Sequence, residues 1–207
     1  MRVGLLGGTF DPVHLAHLRL AESALAELNL DQVIFIPTGQ PWLKAGQPLS
    51  PACHRLAMAR VAVEDCAEFS VSELELDRPG PTYTVDTLEQ LHMDLGPESE
   101  FYLILGMDAL EHFHRWKEPN RILELCCLAV AARPGLPGFT LENFLTQFPK
   151  AAQRVKLLPV LLPDISATAV RGREARGVSL AEFVPPKVAD YIRRLGLYRA
   201  GAKINAD

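Results

Sequence analysis

The chain has little of what marks a secreted, membrane-spanning or nucleic-acid-coating protein. Its four cysteines, Cys53, Cys66, Cys126 and Cys127, form no CxxC pair, which leaves a disulfide framework or structural zinc site unsupported. The adjacent two sit in the apolar run Leu125 to Ala132, so buried free thiols are expected. No apolar run approaches the roughly 20 residues of a membrane helix. The first residues carry one Arg and a short apolar stretch cut by Gly7-Gly8, which makes no secretion signal. Positive charge is not in excess: 21 Lys and Arg stand against 25 Asp and Glu, a formal net charge of -4. A general nucleic-acid binder normally carries a basic surface. A soluble cytoplasmic protein with neither nucleic acid nor membrane as partner is expected, and a small anionic substrate stays open because a few local cations can hold a phosphate. Self-association into a homo-oligomer is left open.

What is present is a strand-helix alternation. Val3 to Leu6 reads as a buried strand ending in the Gly7-Gly8 break, and Leu15 to Leu28 has apolar residues spaced for a helix. Gln32 to Ile36 is a second strand stopped by Pro37, followed by a Gly- and Pro-rich loop to Pro51 and a helix from about Ala52 to Glu64. Phe69 to Leu76 reads as extended, Thr84 to Leu95 as helix, Phe101 to Leu105 as a strand closed by Gly106, Glu118 to Leu125 as helix and Cys127 to Ala132 as a further strand. Val155 to Leu162 is apolar but broken by prolines, and helical patterns resume after Ser166 and from Pro186 to Leu195. This order predicts an α/β fold with a mostly parallel sheet, buried on both faces. With 207 residues and no linker or repeat, one domain is the expectation, its core over about 1-165 and a C-terminal motif with helices over 166-199. Ligands in such folds lie beyond the carboxyl ends of the strands, which puts Gly7 to His14, the loop after Pro37, and Gly106-Met107-Asp108 on one rim.

Residues 7 to 17 read GGTFDPVHLAH. Two glycines at a strand end let a backbone approach a ligand and turn sharply. The first N–H groups of the following helix make an anion site. His14 and His17, three apart, share a face of the first turn and can reach one phosphate chain together. A metal pair is the alternative for these histidines, but no third ligand follows at a telling spacing.

This segment resembles the first signature of the nucleotidylyltransferase superfamily, a Gly-rich strand end running into His-x-Gly-His, with Ala16 here in place of the glycine. Ile165 to Arg171, ISATAVR, is similar to the second, Ile-Ser-x-Thr-x-x-Arg. Ser166 can cap the helix behind it and, with Thr168 and Arg171, can receive a phosphate. The spelling GGTFDPVH, the stretch Pro81 to Leu88 (PTYTVDTL), Ile104 to Asp108 (ILGMD), Trp116, Arg133-Pro134-Gly135 and the late Gly196-Leu197-Tyr198 resemble the bacterial nicotinate-nucleotide adenylyltransferases over nearly the whole chain.

That resemblance implies a Rossmann-like, doubly wound parallel sheet with helices on both faces, and transfer of AMP from ATP to nicotinate mononucleotide. His14, His17 and Arg171 are implied as catalytic. Gly7, Gly8, Thr9, Phe10, Gly106, Asp108, Ile165, Ser166 and Thr168 join them around ATP. Thr9, Lys44, Arg55, Tyr83, Thr84, Trp116 and Arg133 are implied for the mononucleotide. Trp116 can stack on an electron-poor pyridine ring or be a half-buried core residue. Tyr83 and Thr84 precede a helix whose free N–H groups can meet a carboxylate. Asp86 and Asp108 read as caps or ribose acceptors, Asp108 on the adenosine side. Mg2+ is expected with the ATP phosphates, held mostly by water, and no protein metal site is expected. The amide nucleotide, nicotinamide mononucleotide, is the alternative substrate, which residues alone do not separate from the acid. A non-catalytic nucleotide sensor would have lost phosphate ligands that are all present here.

Overall fold

The structure, a computed structural model, describes residues 1–41, 48–131 and 140–199. In chain order its strands are β1 (Arg2–Gly8), β2 (Gln32–Pro37), β3 (Gln40–Pro41), β4 (Phe69–Val71), β5 (Pro81–Thr82), β6 (Glu100–Gly106), β7 (Cys127–Ala131) and β8 (Val155–Leu158). The helices are α1 (Leu15–Glu27), α2 (Ala52–Val63), α3 (Thr84–Leu95), α4 (Met107–Glu111), α5 (Pro119–Leu125), α6 (Leu141–Gln147), α7 (Ala167–Ala175) and α8 (Pro186–Leu195).

Six strands form one sheet in the order β4-β2-β1-β6-β7-β8, every neighbouring pair parallel. The chain winds outward from β1 to one edge, returns to β6 and winds to the other edge. The order therefore reverses between β1 and β6, and a crevice opens there at the carboxyl ends of the strands. β3 and β5 form a separate parallel pair.

Side chains alternate across the sheet, and each face buries its own core. Leu6, Val33, Phe35, Ile104 and Ala129 face one helical layer, where Ala21 and Ala24 of α1, Met58 of α2, Val170 of α7 and Ile192 of α8 pack. Val3, Leu5, Ile34, Leu103 and Val130 face the other, with Leu88 of α3, Ile122 of α5 and Phe144 of α6. The parallel sheet is what the alternation of elements predicts, and the helices on both of its faces make it the doubly wound arrangement that the resemblance implies.

Three local expectations need correction. The extended segment from Phe69 ends at Val71, where Leu76 N–H closes a turn onto the Glu73 carbonyl. The apolar run from Val155 is a strand only to Leu158, because Pro159 cannot donate to the ladder. The cysteines are free, but only Cys126 is buried, and Cys53 is exposed. The α4 turn and α6, each too short for a clear 3.6-residue pattern, were not legible.

Candidate active site

The β1–α1 loop leaves the sheet at the switch point. An added Cβ at Gly7 would meet nothing within 4 Å, so that side of the strand end is open. At Gly8 it would come within 3.0 Å of the Phe10 ring. Phe10 is fully buried, edge-on to His17 at 5.1 Å between ring centres, so its side chain belongs to the core and only its main chain can meet a ligand. Its φ of 47° lies in the left-handed region, a strained position for an aromatic residue.

His14 caps α1, and its backbone N–H donates to His17 Nδ1 at 3.1 Å. That bond makes Nδ1 the acceptor and puts the proton of a neutral His17 on Nε2, where it can donate. The two imidazoles stack at 3.7 Å between centres. The anion site expected at the start of α1 is partly taken: Leu15 N–H donates to the Phe183 carbonyl and His17 N–H to the His14 carbonyl.

Arg171, on α7, reaches the same loop from the other end of the chain. Its Nη1 donates to the Asp11 carbonyl at 2.7 Å and its Nη2 to Thr168 Oγ1 at 3.3 Å. Ser166 caps α7, its hydroxyl oxygen accepting from Ala169 N–H at 3.2 Å. Ser166 and Thr168 both act as acceptors here, so each keeps its hydroxyl proton to donate. The two signatures thus meet in one cradle.

Two clefts flank this cradle, one over each face of the sheet. The first, of about 210 Å3, is lined by Gly7, Gly8, Thr9, Thr38, Thr84 and Trp116 over a floor of Leu5, Leu103 and Leu105. The second, of about 150 Å3, is lined by His14, His17, Gly106, Asp108 and Ile165. Ala16, which replaces the expected glycine, lines it too. A Cβ on Gly106 would meet no atom within 4 Å, leaving room for a base beside the strand end. Of the residues expected around ATP, His14, His17, Gly106, Asp108 and Ile165 line the second cleft, while Gly7, Gly8 and Thr9 line the first beside Thr84 and Trp116, which were expected for the mononucleotide.

Within the first cleft, α3 begins at Thr84 with Tyr83 as its cap residue, so N–H groups of its first turn open there. Lys117 lies 4.9 Å over the Tyr83 ring and pairs with Asp86 at 2.8 Å, which places Asp86 in an ion pair. Trp116 packs on Phe113 at 5.3 Å, and its indole N–H is buried without a partner among the described residues. Arg55 does not line this cleft. It is 3% exposed, and its guanidinium donates to the carbonyls of Ser50, Thr9 and Thr38 at 3.1, 3.0 and 2.7 Å. An arginine buried and held by main-chain carbonyls is not free to close over a substrate. Lys44 and Arg133, with the Arg133-Pro134-Gly135 turn, lie outside the described residues.

Sequence reading missed three groups. Glu75 lines the first cleft although it is 8% exposed, and Thr87 Oγ1 donates to it at 2.9 Å. Burial pushes its carboxyl above the usual range, against hydrogen bonds from Thr87, Thr82 and the Gly39 backbone and the charge of Arg78. Gly39 sits so close that a Cβ would lie 2.1 Å from the Glu75 carbonyl oxygen, so only glycine fits. Asp11 is 2% exposed; its carboxylate accepts from Ser50 N–H at 3.0 Å and from the Tyr198 hydroxyl at 2.7 Å. The pairing of Asp11 with Tyr198 had no sequence signal beyond their place in family-like motifs.

A parallel sheet whose switch point carries imidazoles, hydroxyls and a guanidinium around one crevice is built to hold a nucleotide and its phosphates. Residues 5–173 match the family described as cytidylyltransferase-like. The chain is 44% identical over 198 residues to a nicotinate-nucleotide adenylyltransferase of Thermomicrobium roseum, covering 96% of this chain and 92% of that protein. It is 46% identical over 197 residues to one of Roseiflexus sp. (strain RS-1), covering 95% and 98%. Among solved structures, the Plasmodium falciparum nicotinic acid mononucleotide adenylyltransferase complexed with NaAD superposes with a TM-score of 0.76 at 22% identity, covering 95% of this chain and 97% of that one. The same enzyme complexed with APC gives 0.75. The fold and site define a nucleotidyltransferase. By its sequence relatives the chain belongs to the nicotinate-nucleotide adenylyltransferase family.

Proposed function

We propose that this protein transfers the AMP part of ATP to nicotinate mononucleotide, forming nicotinate adenine dinucleotide and releasing pyrophosphate, in the cytoplasm. The observation that carries the reading is the convergence of Arg171 on the His14 loop, with one cleft on each side of it. ATP takes the second cleft, its base beside Gly106 and its ribose near Asp108. The pyridine ring takes the first, near Trp116, with its carboxylate at the start of α3.

The two phosphates then meet at the strand ends. An oxygen of the mononucleotide phosphate attacks the α-phosphorus in line, the bond from that phosphorus to the bridging oxygen breaks, and pyrophosphate leaves with the electron pair. No covalent enzyme intermediate is required; catalysis is positioning and stabilisation of charge. His17 donates through Nε2 to phosphate oxygen, and Arg171 adds a charge-assisted donor already aimed by Asp11 and Thr168. Among the described residues no group of three His, Cys, Asp or Glu is placed to hold a metal; a divalent ion that arrives with the ATP phosphates would need no such group. Bound in that way, Mg2+ would supply neutralisation of charge on the transferring and leaving groups, beside the donors of His17 and Arg171.

The test is to incubate the protein with ATP, magnesium and nicotinate mononucleotide, then measure pyrophosphate and the dinucleotide. Stoichiometric appearance of both is expected. A clear preference for nicotinamide mononucleotide in the same assay would overturn the choice of substrate, and no pyrophosphate with either would overturn the reaction.

A further inference from the structure

Arg55 leaves the first turn of α2 and is buried, yet its three nitrogens serve separate stretches of main chain. Nη1 bridges the carbonyls of Thr9 and Thr38, Nε takes that of Ser50, and Nη2 lies 3.5 Å from that of Gly39. Burial lowers its pKa, and the negative charge of Asp11 foremost opposes that. Placing a cation so deep is costly unless its partners are fixed, and a packed apolar side chain would fill the same volume without that cost. The reward must lie in what the guanidinium does to the carbonyls.

Thr9 and Thr38 both line the first cleft, and their carbonyls accept from the buried arginine. Among the described residues the cis bond is confined to Asp11-Pro12, so the Thr9-Phe10 peptide is trans. In a planar trans peptide the carbonyl and the following N–H point in opposite directions. Holding the Thr9 carbonyl therefore turns the Phe10 N–H away from Arg55. The buried Phe10 ring anchors the far end of the same unit.

We infer that Arg55 is a positioning residue for the transfer, which by gripping the Thr9 and Thr38 carbonyls aims the Phe10 N–H at the phosphate between the two clefts. It touches no substrate itself. The inference rests on reading this crevice as a phosphate-transfer site. It assigns Arg55 a task other than binding the mononucleotide, and a fork of planar donors is what that task requires.

The test uses the full chain with Arg55→Lys and Arg55→Ala, measuring kcat and KM for ATP and nicotinate mononucleotide per folded molecule, with folding followed by circular dichroism. An ammonium cannot span the three segments, so Arg55→Lys is expected to lose about tenfold or more in kcat, with each KM moving less than about threefold. Added guanidinium is expected to restore turnover of Arg55→Ala saturably. A kcat per folded molecule equal to that of the unchanged protein in both variants overturns the inference, as does guanidinium that raises thermal stability without raising turnover. Should the alanine variant not fold, the unchanged protein decides: on titration with pyrophosphate, the 15N-labelled Phe10 amide resonance is expected to shift, and an unmoved one refutes the assignment. The unchanged protein's own turnover is the separate control, since its inactivity would sink the reaction and not the aim of the Phe10 amide.

Discussion

Arg171 and Asp11 stand 160 positions apart in the chain, yet the guanidinium of one donates to the main-chain carbonyl of the other at 2.7 Å. This contact ties α7 to the loop that carries His14 and His17, and it leaves the rest of the fork to Thr168 and to a ligand. Arg171→Lys keeps the charge but cannot hold Asp11, Thr168 and a phosphate at once. A loss of at least about tenfold in kcat/KM is expected, read per folded molecule because the contact is part-buried and its loss also weakens the fold. Initial rates with both substrates check it, and a lysine variant as fast as the parent would show that charge alone suffices.

His17 presents an Nε2 proton because its Nδ1 accepts from the His14 backbone. His17→Ala removes a preorganised donor, at an expected cost of about 3 kcal/mol in the barrier, roughly a hundredfold in rate. The variant should stay folded, since Phe10 keeps its contact with Phe35 at 5.7 Å. Near-normal turnover would remove this imidazole from the mechanism.

The sheet was legible in the sequence because its strands are buried on both faces, so Gln32 to Ile36, Phe101 to Leu105 and Cys127 to Ala132 stand out as short apolar runs between breakers. The phosphate cradle was legible because helix starts repeat the same chemistry: His14 and Ser166 are both cap residues as well as candidate ligands. Arg55 was misplaced for a physical reason. A cation next to a binding loop looks the same in one dimension whether it faces solvent or turns inward, and only the carbonyls of Thr9, Thr38 and Ser50 show which. Glu75 was missed likewise, since its partner Thr87 lies on another element and nothing local marks the carboxylate as buried.

Trp116 holds a buried indole N–H with no partner among the described residues. Entry of a pyridine ring into the first cleft should change its surroundings. In a Trp42→Phe background, which leaves Trp116 as the single tryptophan, nicotinate mononucleotide is expected to quench the emission. Trp116→Ala should raise KM for the mononucleotide more than for ATP. Emission that ignores the mononucleotide while turnover proceeds would place the ring elsewhere.

Glu75 links folding to pH. Burial raises its folded-state pKa, so between the ordinary carboxyl value and that raised value the folded protein binds more protons than the unfolded one. Stability from this group is therefore complete below the unfolded pKa and is lost as pH rises through the folded pKa. Glu75→Gln keeps an acceptor for Thr87 and removes the ionisation. Urea midpoints measured from acid to neutral pH should show the variant gaining on the parent as pH rises through that window. Two curves that stay parallel would mean the carboxylate is not strained by its site.

Tyr198 closes the same network from the far end of the chain. Its hydroxyl donates to Asp11 Oδ1 at 2.7 Å, and burial together with the Asp11 charge pushes its pKa well above the usual phenol value. It therefore stays protonated as a donor across the whole working range of pH. The other carboxylate oxygen takes Ser50 N–H, while the Ser50 carbonyl takes Arg55 Nε, so Ser50 is gripped through the peptides on both sides of it, and Arg55 carries the constraint on to Thr9. Tyr198→Phe keeps the ring and deletes one donor to a buried carboxylate, which should cost about 1–3 kcal/mol of stability. If the network positions the loop, kcat should fall as well, by more than the lost folded fraction explains. Denaturation midpoints and kcat per folded molecule separate the two effects, and a purely thermal defect would confine Tyr198 to holding the fold together.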